Sequence, residues 1–234
     1  CRKSNIDKKE VIEKFIAASE STKSGDMLVN MKMTQNQNGN KSDMEMTMNV
    51  SLILEPIAMK MEMEMPAQNL KMTSFIKDNT MYIQNPVDNQ WFKQSLTDEI
   101  ASQFKGYMTN SAVIYDAMRN NIDKIELEEI RGNYIITILD PYIIKELIEK
   151  HLLMGIDNNP KNILIDDEIF LKYIVDKKTL LPIAFIFSAN ISYEYGVENL
   201  TVGAKYFNIN NVKRITLPNE VKNAKLAKKR KGTQ

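Results

Sequence analysis

At 234 residues the chain has room for one large domain or two small ones, and 43% hydrophobic with 26% charged residues is the composition of a globular protein. Its longest apolar run, Leu180 to Ala189, is broken by Pro182 and Ser188 and falls far short of the about 18 residues a membrane-spanning helix needs. Formal charge is +1, but Lys222, Lys225, Lys228, Lys229, Arg230 and Lys231 crowd the end; without them 25 basic residues face 30 acidic ones, which argues against nucleic acid as a partner.

Cys1 is the sole cysteine, so no disulfide forms within the chain. A first-position cysteine is what removal of a lipoprotein signal peptide leaves. The expectation is a diacylglyceryl anchor on Cys1, with residues 1–6 as a lipidated tether. Two acyl chains would hold the protein on a membrane without a spanning helix, here at the outer face of a bacterial cytoplasmic membrane.

Asp7 with Glu10 forms a capping-box-like helix start, and Val11, Ile12, Phe15, Ile16 and Ser19 follow at helical spacing. The helix should end before Lys23-Ser24-Gly25. Met27 to Thr34 alternates as a first strand, and Gln35 to Lys41 reads as a polar hairpin loop around Gly39.

Two runs then repeat with period two. In Met44-Glu45-Met46-Thr47-Met48-Asn49-Val50-Ser51-Leu52 the even positions are apolar. In Ile57-Ala58-Met59-Lys60-Met61-Glu62-Met63-Glu64-Met65 the odd ones are. Successive side chains of a strand point to opposite sides, so each run has one methionine face and one wet face. Glu55-Pro56 is the reversal between them. Methionine is an unusual choice for such a face, because branched side chains suit a pleated surface better. Three uses fit: an ordinary core with Met in place of Leu, a deformable cavity for acyl chains, or a thioether site for Cu(I). Copper is the weakest, since no His or second Cys accompanies the methionines and Glu62 and Glu64 point away.

Leu70 to Lys77, Met81 to Gln84 and Gln90 to Lys93 continue the strands, with Asp78-Asn79 and Asn85 to Asn89 as turns. Ser95 with Asp98 opens a helix carrying Leu96, Ile100, Phe104 and Tyr107, and Ser111 to Arg119 makes a second piece. Ile125 to Glu129 and Asn133 to Leu139 are strands about Arg131-Gly132. Asp140-Pro141 starts a further helix with a cap and a first-position proline. Its stripe is Ile144, Leu147, Ile148 and Leu152. Ile163 to Val175, Ile183 to Tyr195 and Leu200 to Asn208 are long strands, followed by Val212 to Leu217, Pro218 and a basic helical tail.

About ten one-sided strands must bury their apolar face, and so many do not stay flat. The expected fold class is α+β: a strongly curved antiparallel sheet, an incomplete β-barrel, with helices packed in its concave face. Residues 7–217 form one domain and 218–234 a basic C-terminal tail.

Cys1, the capped helix and the amphipathic meander combine with three further stretches. These are Phe75 to Tyr82 leading to Trp91-Phe92-Lys93, Tyr173 to Leu181 ahead of a long strand, and Tyr206-Phe207-Asn208 before Ile215 to Pro218. Together they resemble the uncharacterised Gram-positive lipoproteins (DUF6612-like) whose fold is similar to the LolA and LppX/LprG lipoprotein carriers. The resemblance implies a half-barrel closed by helices around an apolar cavity, and a carrier or binder of lipids or acylated proteins. None of its motifs is catalytic.

The residues offer little chemistry of their own. His151, the only histidine, lies beside a helical apolar stripe, no Gly-x-Ser-x-Gly elbow exists, and no nucleotide-binding glycine pattern appears. Asp166-Asp167-Glu168 lacks EF-hand spacing. The expectation is therefore no enzymatic activity, no catalytic residues, no metal site and no cofactor. The leading reading is a monomeric membrane-anchored lipoprotein with a lipid or acyl chain in a cavity lined by Met31, Met33, Met44, Met46, Met48, Met59, Met61, Met63, Met65 and Trp91. The alternatives are a surface module with a filled core that docks a protein or cell-wall polymer, and a Cu(I)-binding protein.

Overall fold

A computed structural model describes residues 7–97, 114–147, 164–165, 169–193 and 196–227. The first helix, α1 (Lys8–Glu20), begins where expected: Asp7 caps it by accepting from the Glu10 backbone N–H at 3.2 Å. Three spaced residues, Ile12, Phe15 and Ile16, are wholly buried.

β1 (Ser24–Gln37) and β2 (Asn40–Leu54) form a hairpin tighter than the expected loop. Only Asn38 and Gly39 lie between them, both with positive φ (53° and 83°). That pair matches the right-handed strand twist, so the strands run on through the polar residues that had suggested a longer loop. β3 (Ile57–Met65) follows the two-residue Glu55-Pro56 reversal, β4 (Leu70–Lys77) a short 3-10 turn, and β5 (Thr80–Gln84) the positive-φ pair Asp78-Asn79. β6 (Trp91–Ser95) completes this first meander. The helix expected from Ser95 lies outside the described residues beyond 97, as do Ile148, His151, Leu152 and the Asp166-Asp167-Glu168 cluster.

Residues 114–120 form α2, which Arg119 ties to α1 through a two-pronged pair with Glu20 at 2.8 and 2.9 Å. β7 (Ile125–Ile130) and β8 (Asn133–Ile138) flank Arg131-Gly132. α3 (Pro141–Leu147) starts at Asp140 as expected, whose carboxylate accepts from the Tyr142 and Ile143 backbone N–H groups. The strand expected from Ile163 to Val175 is two pieces, β9 (Leu164–Ile165) and β10 (Phe170–Asp176). β11 (Pro182–Tyr193) pairs with both, and β12 (Gly196–Phe207) folds back on it.

Among the described residues thirteen strands, rather than about ten, make one sheet in the order β13-β6-β5-β4-β3-β2-β1-β12-β11-β10-β8-β7, where β13 is Lys225–Leu226, with β9 off this path on β11. Two of them, β9 and β13, are two residues long, too short to leave a period in the sequence. The sheet is open, with β13 and β7 at its edges. Two meanders meet at its centre, where β1 and β12 pair without a break over Asp26 to Gln37 against Gly196 to Phe207.

The C-terminal segment corrects the expectation of a basic helical tail. Residues 208–218 run as an irregular strap, Asn219–Asn223 is one 3-10 turn, and β13 (Lys225–Leu226) joins β6 in the sheet's parallel pairing. Basic composition disguised it, because a two-residue pairing with a strand over 130 positions away has no local signature.

Cross-strand partners share a face, so the register defines two sides. On one, α1, α2 and α3 contribute Phe15, Tyr115, Met118 and Ile144 to a cluster with Ile136, Ile138, Leu171, Tyr173, Val175 and Phe187 of β8, β10 and β11. Phe15 meets Tyr115 edge-on at 5.7 Å and Tyr173 at 5.1 Å. On the other, Ile215 of the strap and Val221 of the 3-10 turn after it pack with Phe75, beside Ile53, Ala58, Tyr82 and Trp91. The Lys77 ammonium fastens the strap by donating to the Ile215 carbonyl at 2.9 Å.

Candidate functional site

The register of β1 to β5 builds a lattice from the methionine runs. One row reads Val29–Met48–Met63–Met72 across four strands, and the next Met27–Val50–Met61–Ser74–Ile83 across five. A third is Leu52–Met59–Ile76–Met81. Toward the Asn38-Gly39 turn, Met31 pairs with Met46 and Met33 with Met44, and Met65 pairs with Leu70. Alternation within each strand therefore places all twelve methionines between 27 and 81 on the same face. It is also the face that carries Tyr173 and Phe187 farther along the sheet, because Val29 pairs with Ala204, Ala204 with Phe185 and Phe185 with Tyr173.

The two ends of that face differ. Under the helices it is built mainly from Ile, Val, Leu, Phe and Tyr, most of them buried. In the lattice only Met59, Met81, Ile76, Ser74 and Val29 are buried; Met31, Met33, Met44, Met46, Met48, Met61, Met63, Met65 and Met72 are half-buried. The charges of these strands stand on the opposite side, where Lys71 pairs with Glu64 at 2.9 Å, Lys60 with Glu62 at 3.0 Å and Lys32 with Glu45 at 3.6 Å. The face is thus uncharged across β2 to β5.

Nine of the ten expected lining residues come together here; Trp91 does not. It pairs with Gln84, in phase with Tyr82 and Phe75, and stacks 5.8 Å from Phe75 beneath the strap. Period two could not assign it, because Trp91 and Phe92 are adjacent aromatics on a five-residue strand and either could face in. Phe92, opposite Ile83, holds the lattice side. The expected lining also omits Met27, Met72, Met81 and Ser74. The alternation of Leu70, Met72, Ser74 and Ile76 carried that signal.

Two clefts border the described residues away from the lattice. One, of about 370 Å³, lies among Asp7, Glu10, Lys14, Glu129, Tyr134 and Lys177. Its cations are paired, Lys14 with Glu10 and Lys177 with Glu129, which raises both ammonium pKa values through those hydrogen bonds. The other, of about 350 Å³, opens between Lys60 and the strap around Arg214. Neither is lined by a methionine. Burial pushes the Tyr173 phenol well above its ordinary pKa and raises that of Tyr206, which pairs with Met27, so both stay neutral hydroxyls. Among the described residues no three His, Cys, Asp or Glu side chains gather where a metal could be held, and no helix is long and apolar enough to cross a membrane.

No curated protein matches this sequence. Solved structures similar to the chain include the lipoprotein LppX of Mycobacterium tuberculosis, at 9% identity over 91% of this chain and 100% of that one, with a TM-score of 0.42. LprF of Mycobacterium bovis is similar at 10% identity over 91% and 96%, TM-score 0.46. A LolA superfamily protein of Nitrosomonas europaea is similar at 10% identity over 91% and 95%, TM-score 0.24. The resemblance expected from the sequence is thus found. A family match covers residues 7–226, and the chain belongs to that family, the family of unknown function DUF6612.

Proposed function

We propose that this chain is a non-enzymatic binding protein that holds a lipid or other apolar ligand on its methionine face. One observation carries the reading: a single sheet face changes from a closed Ile/Val/aromatic core under the helices to an uncharged, half-buried lattice of thioethers. A sealed core gains from stiff branched side chains, which pack one way. Unbranched thioether chains with three rotatable bonds re-pack around apolar partners of varied shape. Keeping every charge of β2 to β5 on the far side leaves the lattice suited to hydrocarbon. The reading includes the anchor expected on Cys1 and a site outside the cytoplasm, which mass analysis of the Cys1 peptide from cells tests separately.

Native mass spectrometry of the protein extracted from its own membrane is the direct test. The expected result is a bound lipid that is lost when Met48, Met63 and Met72 are each replaced by Gln. Ligand-free protein that also takes up no acyl probe from vesicles would overturn the reading. Docking of a partner on the outer face is less favoured, because the strap covers that face over β4 to β6. A Cu(I) reading draws on the alignment of Met48, Met63 and Met72 on three adjacent strands, where cross-strand Cβ atoms stand about 5 Å apart. Cu(I) titration under reducing conditions, unchanged by their replacement with Leu, would exclude it.

A further inference from the structure

Within the lattice one side chain breaks the chemical pattern. Ser74 sits in the second row between Met61 and Ile83, with Met72 and Ile76 two residues away on the same strand and the same side. It is 5% exposed, and its Oγ is buried with no hydrogen-bond partner. Ser19, the other such hydroxyl among the described residues, belongs to α1 rather than to the lattice.

A buried hydroxyl without a partner is costly, because it has given up its water and received nothing in return. Packing does not account for Ser74, since alanine would fill almost the same space with no polar atom to strand. Its in-register neighbours supply at best a thioether sulfur, a weak acceptor. Such groups call for an explanation, and one that sits on a candidate binding face points to a missing partner.

We infer that Ser74 is the polar anchor of the bound ligand, its hydroxyl donating to the ester carbonyl of an acyl lipid. The inference rests on the lipid-binding reading above and narrows its ligand class. The surroundings decide which acceptor suits the site. No Lys, Arg or His of β2 to β5 shares the face, so a carboxylate or phosphate at Ser74 would be a buried charge without a counter-ion. A neutral ester carbonyl carries no such penalty. It brings hydrocarbon on both sides, to lie over Met48, Met61 and Met63 in one direction and over Ile76 and Met81 in the other. The hydroxyl is buried in the free protein, and the three torsions of the neighbouring Met61 and Met72 let these chains move aside when the ligand enters.

Two matched probes test this: a diacylglycerol with ester linkages and the dialkylglycerol ether of the same chain length, which lacks the carbonyls. Each is titrated into delipidated wild-type protein and into Ser74→Ala. Wild type should prefer the ester about fivefold, the size of one net hydrogen bond, and Ser74→Ala should bind the two alike. Ligand-free Ser74→Ala should also melt higher than wild type, because the stranded hydroxyl is gone; a merely structural serine would give a lower melting temperature. Equal binding of both probes by wild type overturns the role of Ser74 while the lipid reading stands. A preference that survives in Ser74→Ala overturns it as well. Binding of neither probe overturns both.

Discussion

Asp140 serves two masters. One carboxylate oxygen accepts from the Tyr142 and Ile143 backbone N–H groups at 2.9 and 3.2 Å, and the other meets the Lys124 ammonium at 2.9 Å. The hydrogen bond from Lys124, followed by the two backbone donors, holds its pKa below the ordinary carboxylate value despite some desolvation. A depressed carboxyl stabilises the fold above its unfolded-state pKa, and that contribution fades as pH falls through the folded-state value. Asp140→Ala should therefore cost about 1 kcal/mol at neutral pH, the size of a lost helix cap. The gap from wild type should narrow as pH is lowered below about 4. Urea melts at a series of pH values read this directly, and a gap unchanged into strong acid would contradict it. The same carboxylate was legible beforehand, because Asp before Pro at a helix start is a local pattern. Ser74 is not legible in that way: alternation gives its face, but only the pairing with Met61 and Ile83 shows that nothing polar stands beside it in its row.

Among the elements, the hairpins show how turn chemistry fixes register. Asn38-Gly39, Asp78-Asn79 and Arg131-Gly132 all occupy two-residue turns with both φ angles positive. Asn and Asp tolerate this backbone; Arg131, at φ 50°, does so at a cost of up to about 1–2 kcal/mol. Arg131→Asn should raise stability by roughly 0.5 kcal/mol, measured as a higher urea midpoint at unchanged slope. A lower midpoint would mean that the Arg131 side chain makes a contact worth more than the strain. Strands with strict alternation, β3, β10 and β2 from Met44 onward, were readable because one face is apolar throughout those stretches. Elements defined by distant pairing were not. β13 is a strand only because Phe92 and Lys93 lie beside it, and Trp91 turns outward only because Gln84 and Tyr82 set its phase.

At the scale of the molecule, the sheet is two meanders sewn together along β1 and β12. Gly196 begins β12 opposite Gln37, and a Cβ there would stand 2.2 Å from the Asn36 carbonyl oxygen. Backbone cannot yield to that extent, so Gly196→Val should push the strands apart and cost about 2 kcal/mol. Hydrogen exchange should then rise first at Gln35 to Gln37 and Val197 to Glu198, and uniform protection would count against a tight approach there. The open sheet with few helices was foreseeable from the number of one-sided strands. What could not be foreseen is that the chain's two terminal thirds supply the middle of the sheet and its central third supplies strands near both edges.

That arrangement sets an order of events at birth. A nascent chain can complete β1 to β6 early, since each of these strands pairs with its neighbour in sequence. The outer rim of β1 must then wait with its amide and carbonyl groups unmatched until Gly196 to Phe207 emerges, well over a hundred residues later. An uncovered strand of this length invites pairing with other chains. Truncated chains released from the ribosome and ending near residue 190 should therefore self-associate or recruit holdase chaperones, whereas released chains reaching past residue 210 should not.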